Sequence, residues 1–312
     1  MSYLKLKVAI FGVLGLASTQ SMAALCTLAA APTGSAYINA YNQGRTVPPL
    51  AGPAVSSLAS RMNFGADLLY GGSAGDCEIS GIVNDATPPE AGYALVASTN
   101  RVLPTVTGGA TQIGTVYDRV WRDTATNTSC YFGTRVGNLI NVDHDSGTAG
   151  IQNFLLKDVA RGGFSGSGSV GVGYFLVPSS NGTPTYRIGR TFTSVPHFAY
   201  GTATQAERQN NAIGHLDLPV IGGSSTANTN GSQQQAAVNN NWVDFTAYAI
   251  YLTPNGGNAT STSMMYVKSS CDSTSPSTWV KTGAIRVRQT GLGGSFKEIE
   301  TSGYAPPGAV IP

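Results

Sequence analysis

Three histidines, His144, His197 and His215, and three carboxylates, Asp143, Asp145 and Asp217, are the side chains here best suited to hold a divalent metal or move a proton. Imidazole and carboxylate are sound ligands for transition metals, and Asp143, His144 and Asp145 stand together as the candidate metal set. Their spacing supports little. No His-x-His or close histidine pair occurs, and Gly147 sits where a calcium loop of the helix-flanked kind needs a third oxygen ligand. Ligand sets announce themselves by clustering, so three separate turn or surface histidines are the expected arrangement.

Two short motifs suggest hydrolysis. Gly71-Gly72-Ser73-Ala74-Gly75 matches a nucleophile elbow, in which glycines permit the sharp turn that presents a serine. An elbow must open a helix, whereas Asp76, Cys77, Ile79 and Ile82 continue as extended chain. Asp145-Ser146-Gly147-Thr148 has the local form of an aspartic-protease loop, but that chemistry needs two carboxylates sharing a proton. The chain has no second Asp-Ser-Gly or Asp-Thr-Gly. A polar turn, with Asp and Ser bonding their own backbone, accounts for the stretch. Asn127, Asn181, Asn230 and Asn258 lie in Asn-x-Ser/Thr sequons, which matter only in a host that glycosylates.

The most strongly patterned segment is 113–136, two arms rich in β-branched and aromatic residues around a polar turn. On the first arm Thr115, Tyr117, Arg119 and Trp121 share one face, and Val116, Asp118, Val120 and Arg122 the other. Both faces thus carry apolar bulk and charge, which predicts a strand with layers above and below it and a buried Trp121. Asp118, Arg119, Arg122, Asp123 and Arg135 gather here although only 11% of the chain is charged. Cross-strand ion pairs fixing register are the expected use; an Arg-lined recognition site is the alternative.

Residues 1–23 have the parts of a secretory signal: Lys5 and Lys7, an apolar run over 8–17, and Ser21-Met22-Ala23 as the cleavage site. The apolar run is too short to span a bilayer, and no later stretch is long enough. Cys26 suggests lipidation, but Leu25 stands where such signals want a small residue. The chain's 18 Lys plus Arg against 16 Asp plus Glu fall to 16 against 16 once Lys5 and Lys7 are removed. Zero net charge and the lack of a basic run argue against nucleic acid as a partner. Export permits disulfides. The expected pairing of the four cysteines is Cys26 with Cys77 and Cys130 with Cys271, which ties both ends of the chain to its middle. Loops of that length contribute about 4 to 5 kcal/mol each by chain entropy.

Short apolar runs at 66–70, 77–83, 92–97, 154–160, 169–177, 186–195, 242–252, 264–267, 284–289 and 296–299, separated by Gly, Pro and polar clusters, have the spacing of an all-β fold. Gly166, Gly168, Gly171 and Gly173 weaken one run but allow a neighbour to approach closely. Segment 202–213 is the best helix candidate, and 222–241 is a polar low-complexity stretch expected to be a mobile loop. The expectation is an all-β chain: a Gly-rich β-sandwich or jelly-roll-like single domain over 24–312, with long loops and at most one or two short helices. The short, irregular runs argue against a membrane β-barrel. The functional expectation is an exported, non-enzymatic surface, matrix or glycan-binding component working through loops and exposed aromatics, without a cofactor. The alternative is a secreted hydrolase or metal-dependent enzyme built on His144, His197 and His215.

Overall fold

Strand alternation in the 113–136 segment decides how the layers stack. The computed structural model describes residues 25–28, 37–40, 73–74, 77–79, 82–105, 112–143, 151, 153–176, 182–183, 185, 187–190, 241–251, 259–289 and 297–311. The signal segment, the 202–213 helix candidate and residues 222–240 of the polar stretch lie outside them. The strands are β1 (Cys26–Leu28), β2 (Tyr37–Asn39), β3 (Ser73–Ala74), β4 (Tyr93–Pro104), β5 (Gln112–Asp123), β6 (Ser129–Gly137), β7 (Leu156–Arg161) and β8 (Val170–Phe175). They continue with β9 (Gly182–Thr183), β10 (Arg187–Gly189), β11 (Val243–Ala249), β12 (Ser261–Thr262), β13 (Met264–Ser270), β14 (Val280–Gln289) and β15 (Lys297–Tyr304). Two 3-10 turns, Ser165–Ser167 and Pro276–Trp279, are the helical elements among the described residues.

Two sheets pack face to face as an all-β sandwich. The first runs β1-β8-β13-β6-β5-β4, antiparallel throughout. The second runs β15-β14-β7-β11-β10-β2-β3, antiparallel except for the short β2–β3 pairing. Late segments complete sheets begun early: β13 inserts between β6 and β8, and β11, β14 and β15 surround β7. The described residues of the 77–83 run, 77–79 and 82–83, do not form a strand as its apolar pattern suggests. Glu78 makes one isolated bridge to Tyr174, and the chain then turns at Asn84, whose Oδ1 accepts from the N–H groups of Ala86 and Thr87.

Between the sheets lie Val116, Val120, Phe132 and Val136 of the first and Val159, Phe245, Ile285 and Val287 of the second, all buried. Asp118 points into this layer with them, since side chains alternate along β5. It meets Arg161 of β7, whose Nη2 donates to Asp118 Oδ1 at 3.2 Å and to the Tyr304 carbonyl at 2.5 Å, while Nη1 donates to Thr134 Oγ1 at 2.5 Å. Asp118 Oδ2 accepts the Tyr304 N–H at 2.8 Å and a longer bond from Arg101. Both partners of the central pair are fully buried. Burial pushes the Asp118 carboxyl above the usual carboxylate range, against the pull of Arg161 and the Tyr304 N–H.

A second charged cluster lies across β14, β7, β11 and β15. Arg288 meets Asp158, Asp244 and Glu298 at 3.5, 3.2 and 2.7 Å, and Asp158, Asp244 and Arg288 are fully buried. Burial first, and then the neighbouring Glu298 charge, push Asp158 up to about 7 despite Arg288.

The expected disulfides form: Cys26 with Cys77, and Cys130 with Cys271. Gly173 of β8 serves the first. A Cβ there would stand 2.8 Å from the Cys77 carbonyl and 2.9 Å from Leu25 Cδ2, so the glycine lets the stapled segment lie directly on the strand.

Removing one member of the inter-sheet pair leaves a buried charge unpaired. Asp118→Asn and Arg161→Met are each expected to cost about 3 to 5 kcal/mol, and the double variant less than their sum. Denaturant unfolding of the four proteins reads this directly. The raised Asp158 sets a pH trend: its proton is held in the folded state and lost in the unfolded one, so its contribution is complete below about pH 4 and disappears as pH rises through about 7. Asp158→Asn, which mimics the protonated group, should therefore match the parent below about pH 4 and exceed its stability by a growing margin as pH rises toward about 8, measured as denaturation midpoints across that range.

Candidate functional site

Few of the side chains with chemical potential fall among the described residues. Asp143, half-buried, is the one described member of the candidate metal set; His144, Asp145, His197, His215 and Asp217 lie outside the described residues. Among the described residues no group of three His, Cys, Asp or Glu side chains is placed to hold a metal. Ser73 belongs to β3, paired in parallel with β2, so it is part of a sheet instead of the strand-to-helix turn an elbow requires. Asn127 holds a left-handed backbone, φ 58°, in the turn between β5 and β6.

The hairpin charges are distributed differently from the expected cross-strand pairing. Arg101–Asp118 is the ion pair that joins neighbouring strands here, at 3.4 Å. Arg122 donates to the carbonyls of Asp272 and Thr274 at 3.1 and 2.9 Å. Asp123 bonds the N–H groups of Ala125 and Thr126 at 2.9 and 3.2 Å, closing the turn. Arg119 donates to the Thr99 carbonyl and Asn100 Oδ1, both at 2.9 Å, and Arg135 holds Asp85 through Nε at 2.9 Å and Nη2 at 2.5 Å. The Tyr117 ring has the Arg119 and Arg135 guanidinium carbons 5.6 and 4.0 Å from its centroid, and Asn138 Nδ2 donates to its hydroxyl at 2.5 Å. Arg119 and Arg135 are buried. An exposed arginine lining is thereby replaced by a packed Arg–Tyr–Arg stack.

What covers this face was not legible in the sequence. Segment 82–90 runs over the outer side of the first sheet as a strap. Beneath it Trp121, Tyr131, Met264 and Tyr266 form a second buried apolar cluster with Ile79, Ile82 and Phe175. Trp121 Nε1 donates to the Ala86 carbonyl at 3.1 Å, and Arg135 fixes Asp85. Glu90 closes the far end, its Oε2 accepting from Tyr131 Oη and Lys268 Nζ, both at 2.5 Å. The Lys268 ammonium also lies 5.0 and 5.1 Å from the Tyr93 and Tyr131 ring centroids. Partial burial acts to raise Glu90, but the Lys268 and Tyr131 hydrogen bonds outweigh it and hold the carboxyl below its ordinary value. Gly133 completes the arrangement: a Cβ there would stand 2.6 Å from the Trp121 ring, so the indole can lie flat across β6. The one available signal was Asp85 and Glu90 flanking Pro88-Pro89 opposite an arginine-rich, aromatic hairpin.

Two surfaces among the described residues are candidate places for a partner. One is a cleft of ≈ 350 Å³ between the Ser165–Ser167 turn, residues 270–272 and residues 306–310. Its lining is Gly, Ser, Pro, Ala and Val with Cys271 and one carboxylate, Asp272, whose Oδ1 already accepts the Thr274 N–H at 2.9 Å. The other is β4, the outermost strand of the first sheet, twelve residues long and mostly exposed or half-buried. All three tryptophans of the chain, Trp121, Trp242 and Trp279, are buried. The indoles thus fill the interior, as expected for Trp121. Comparison with protein-family models, curated proteins and solved structures returns no match for this chain.

The strap makes Trp121 a core residue of an outer layer. Trp121→Ala should cost about 3 to 5 kcal/mol, and Gly133→Ala, which drives a methyl into the same ring, about 1 to 3 kcal/mol. Thermal or chemical unfolding of each against the parent checks both; a loss below about 1 kcal/mol for Trp121→Ala would fit a surface side chain instead.

Proposed function

We propose that this protein is an exported, non-enzymatic β-sandwich that builds or binds at the cell surface or in an extracellular matrix. The two disulfides are compatible with export, and among the described residues no helix is long and apolar enough to cross a membrane. The observation that carries the reading is where the chain spends its rare charges and its aromatics. Asp118, Arg161, Asp158, Asp244 and Arg288 are buried in ion pairs, and the strap uses Arg135, Glu90 and Lys268. The long strand β4 faces outward with exposed Leu95 and Val102 and one charged residue, Arg101, engaged with Asp118. Such a surface suits lasting contact with a polymer or another protein better than bond-breaking chemistry.

Incubating the purified mature protein with cell envelopes and with insoluble polysaccharides tests this. The expected result is co-sedimentation with an unaltered polymer. Release of soluble fragments, lost in His144→Ala, His197→Ala or His215→Ala, would make the protein a hydrolase and end the proposal.

A further inference from the structure

Among the described residues the two sheets end in four edge strands, β1, β3, β4 and β15. β1 and β3 have three and two residues. β15 carries Glu298 and Glu300, and charge is a common means of keeping an edge from pairing. β4 is twelve residues long and has no outward-facing charge; its one charge is Arg101, on the core face, and its two irregularities, at Leu95–Ala97 and Leu103–Pro104, flank a regular stretch over 97–103.

Its side-chain order is also self-complementary. Leu95 and Val102 are seven positions apart and would point to opposite faces of a regular strand. An irregularity between Leu95 and Ala97 changes that, because Leu95 pairs with Trp121 and Val102 with Thr115, and both of those partners lie on the outer face. Ser98 and Asn100, opposite Arg119 and Tyr117, share that outer face, while Ala97 and Arg101, opposite Val120 and Val116, face the core. An antiparallel second β4, related by a two-fold axis through Thr99, sets Ser98 against Asn100 and Ala97 against Arg101. Beyond the bulged Val96 it sets Leu95 against Val102. Every pair lies on one face, as antiparallel pairing requires. The two exposed apolar side chains, 38% and 57% accessible, cover each other at both ends, and the arginine meets alanine instead of a like charge.

We propose that β4 is a self-association edge at which two copies of this chain join their first sheets into one continuous sheet, with Thr99 on the two-fold axis. The proposal rests on the surface or matrix reading above and gives its building step.

Sedimentation velocity of the mature protein from low micromolar to near-millimolar concentration should show a monomer–dimer equilibrium. Leu95→Lys with Val102→Lys places like charges across both ends and should weaken the dimer about tenfold or more. Leu95→Lys with Val102→Glu places opposite charges there and should restore it. A mixture of Ser98→Cys and Asn100→Cys proteins should form an intermolecular disulfide faster than either alone, which reads register even where the charged variants fold poorly. A parent that stays monomeric throughout, equal association of the two charged variants, or cross-linking without preference for the mixture overturns the proposal. A monomeric parent that still co-sediments with envelopes removes this step and leaves the surface reading standing, whereas polymer breakdown removes that reading.

Discussion

The meeting of Asp118 and Arg161 between the sheets constrains everything around it. Removing both charges from water costs several kcal/mol per ion, and their attraction repays this only where the remaining lone pairs and N–H groups also find partners. Here most of them do so through five strands: β5 and β7 supply the charges, β6 supplies Thr134, β4 supplies Arg101, and β15 supplies both backbone groups of Tyr304, while Arg161 Nε stays without a hydrogen bond among the described residues. An apolar core would tolerate a sheet sliding by one residue pair. This network would not, because a shift of any of the five leaves a buried charge or carbonyl without its partner. The pair therefore contributes more to the uniqueness of the packing than to its net stability.

The first sheet then has to solve a second problem, since it is apolar on both faces. Its outer cluster of Trp121, Tyr131, Met264 and Tyr266 is sealed by a short segment whose own apolar contacts are few. The strap compensates with polar latches at its two ends, Asp85 on Arg135 and Glu90 on Lys268 and Tyr131. These latches are partly shielded from solvent, so their bonds are worth more than those of open surface pairs. The Cys26–Cys77 bridge anchors chain just before the strap to the same sheet through β1, which lowers the entropy lost when the strap closes.

How much of this was legible follows from the range of each signal. The hairpin could be read because alternation is local: the two faces assigned to residues 115–122 are the faces found. The disulfides could be read because four cysteines admit only three pairings. The strap could not, since residues 82–90 resemble any Pro-rich loop until the arginine and lysine they dock on are brought near from 50 and 178 positions away. The same distance hid the use of Asp118, whose principal partner lies 43 positions on in another sheet. Of the candidate site, Asp143 and the backbone of Ser73 lie among the described residues, and Trp121 proved buried, though under the strap and outside the inter-sheet core.

Charge economy ties the fold to what its surface can do. With 11% of residues charged and many of those drawn into the interior and the strap latches, little charge remains on the exposed stretch of β4 to steer a partner from a distance. Association there would depend on short-range contact: backbone hydrogen bonds along an edge and burial of small apolar side chains. Such contacts form slowly without electrostatic attraction and vary little with salt, and once formed they extend a sheet that is already rigid. A surface of that kind suits a component that is assembled once and stays in place, and two disulfides tie the sandwich across long stretches of chain.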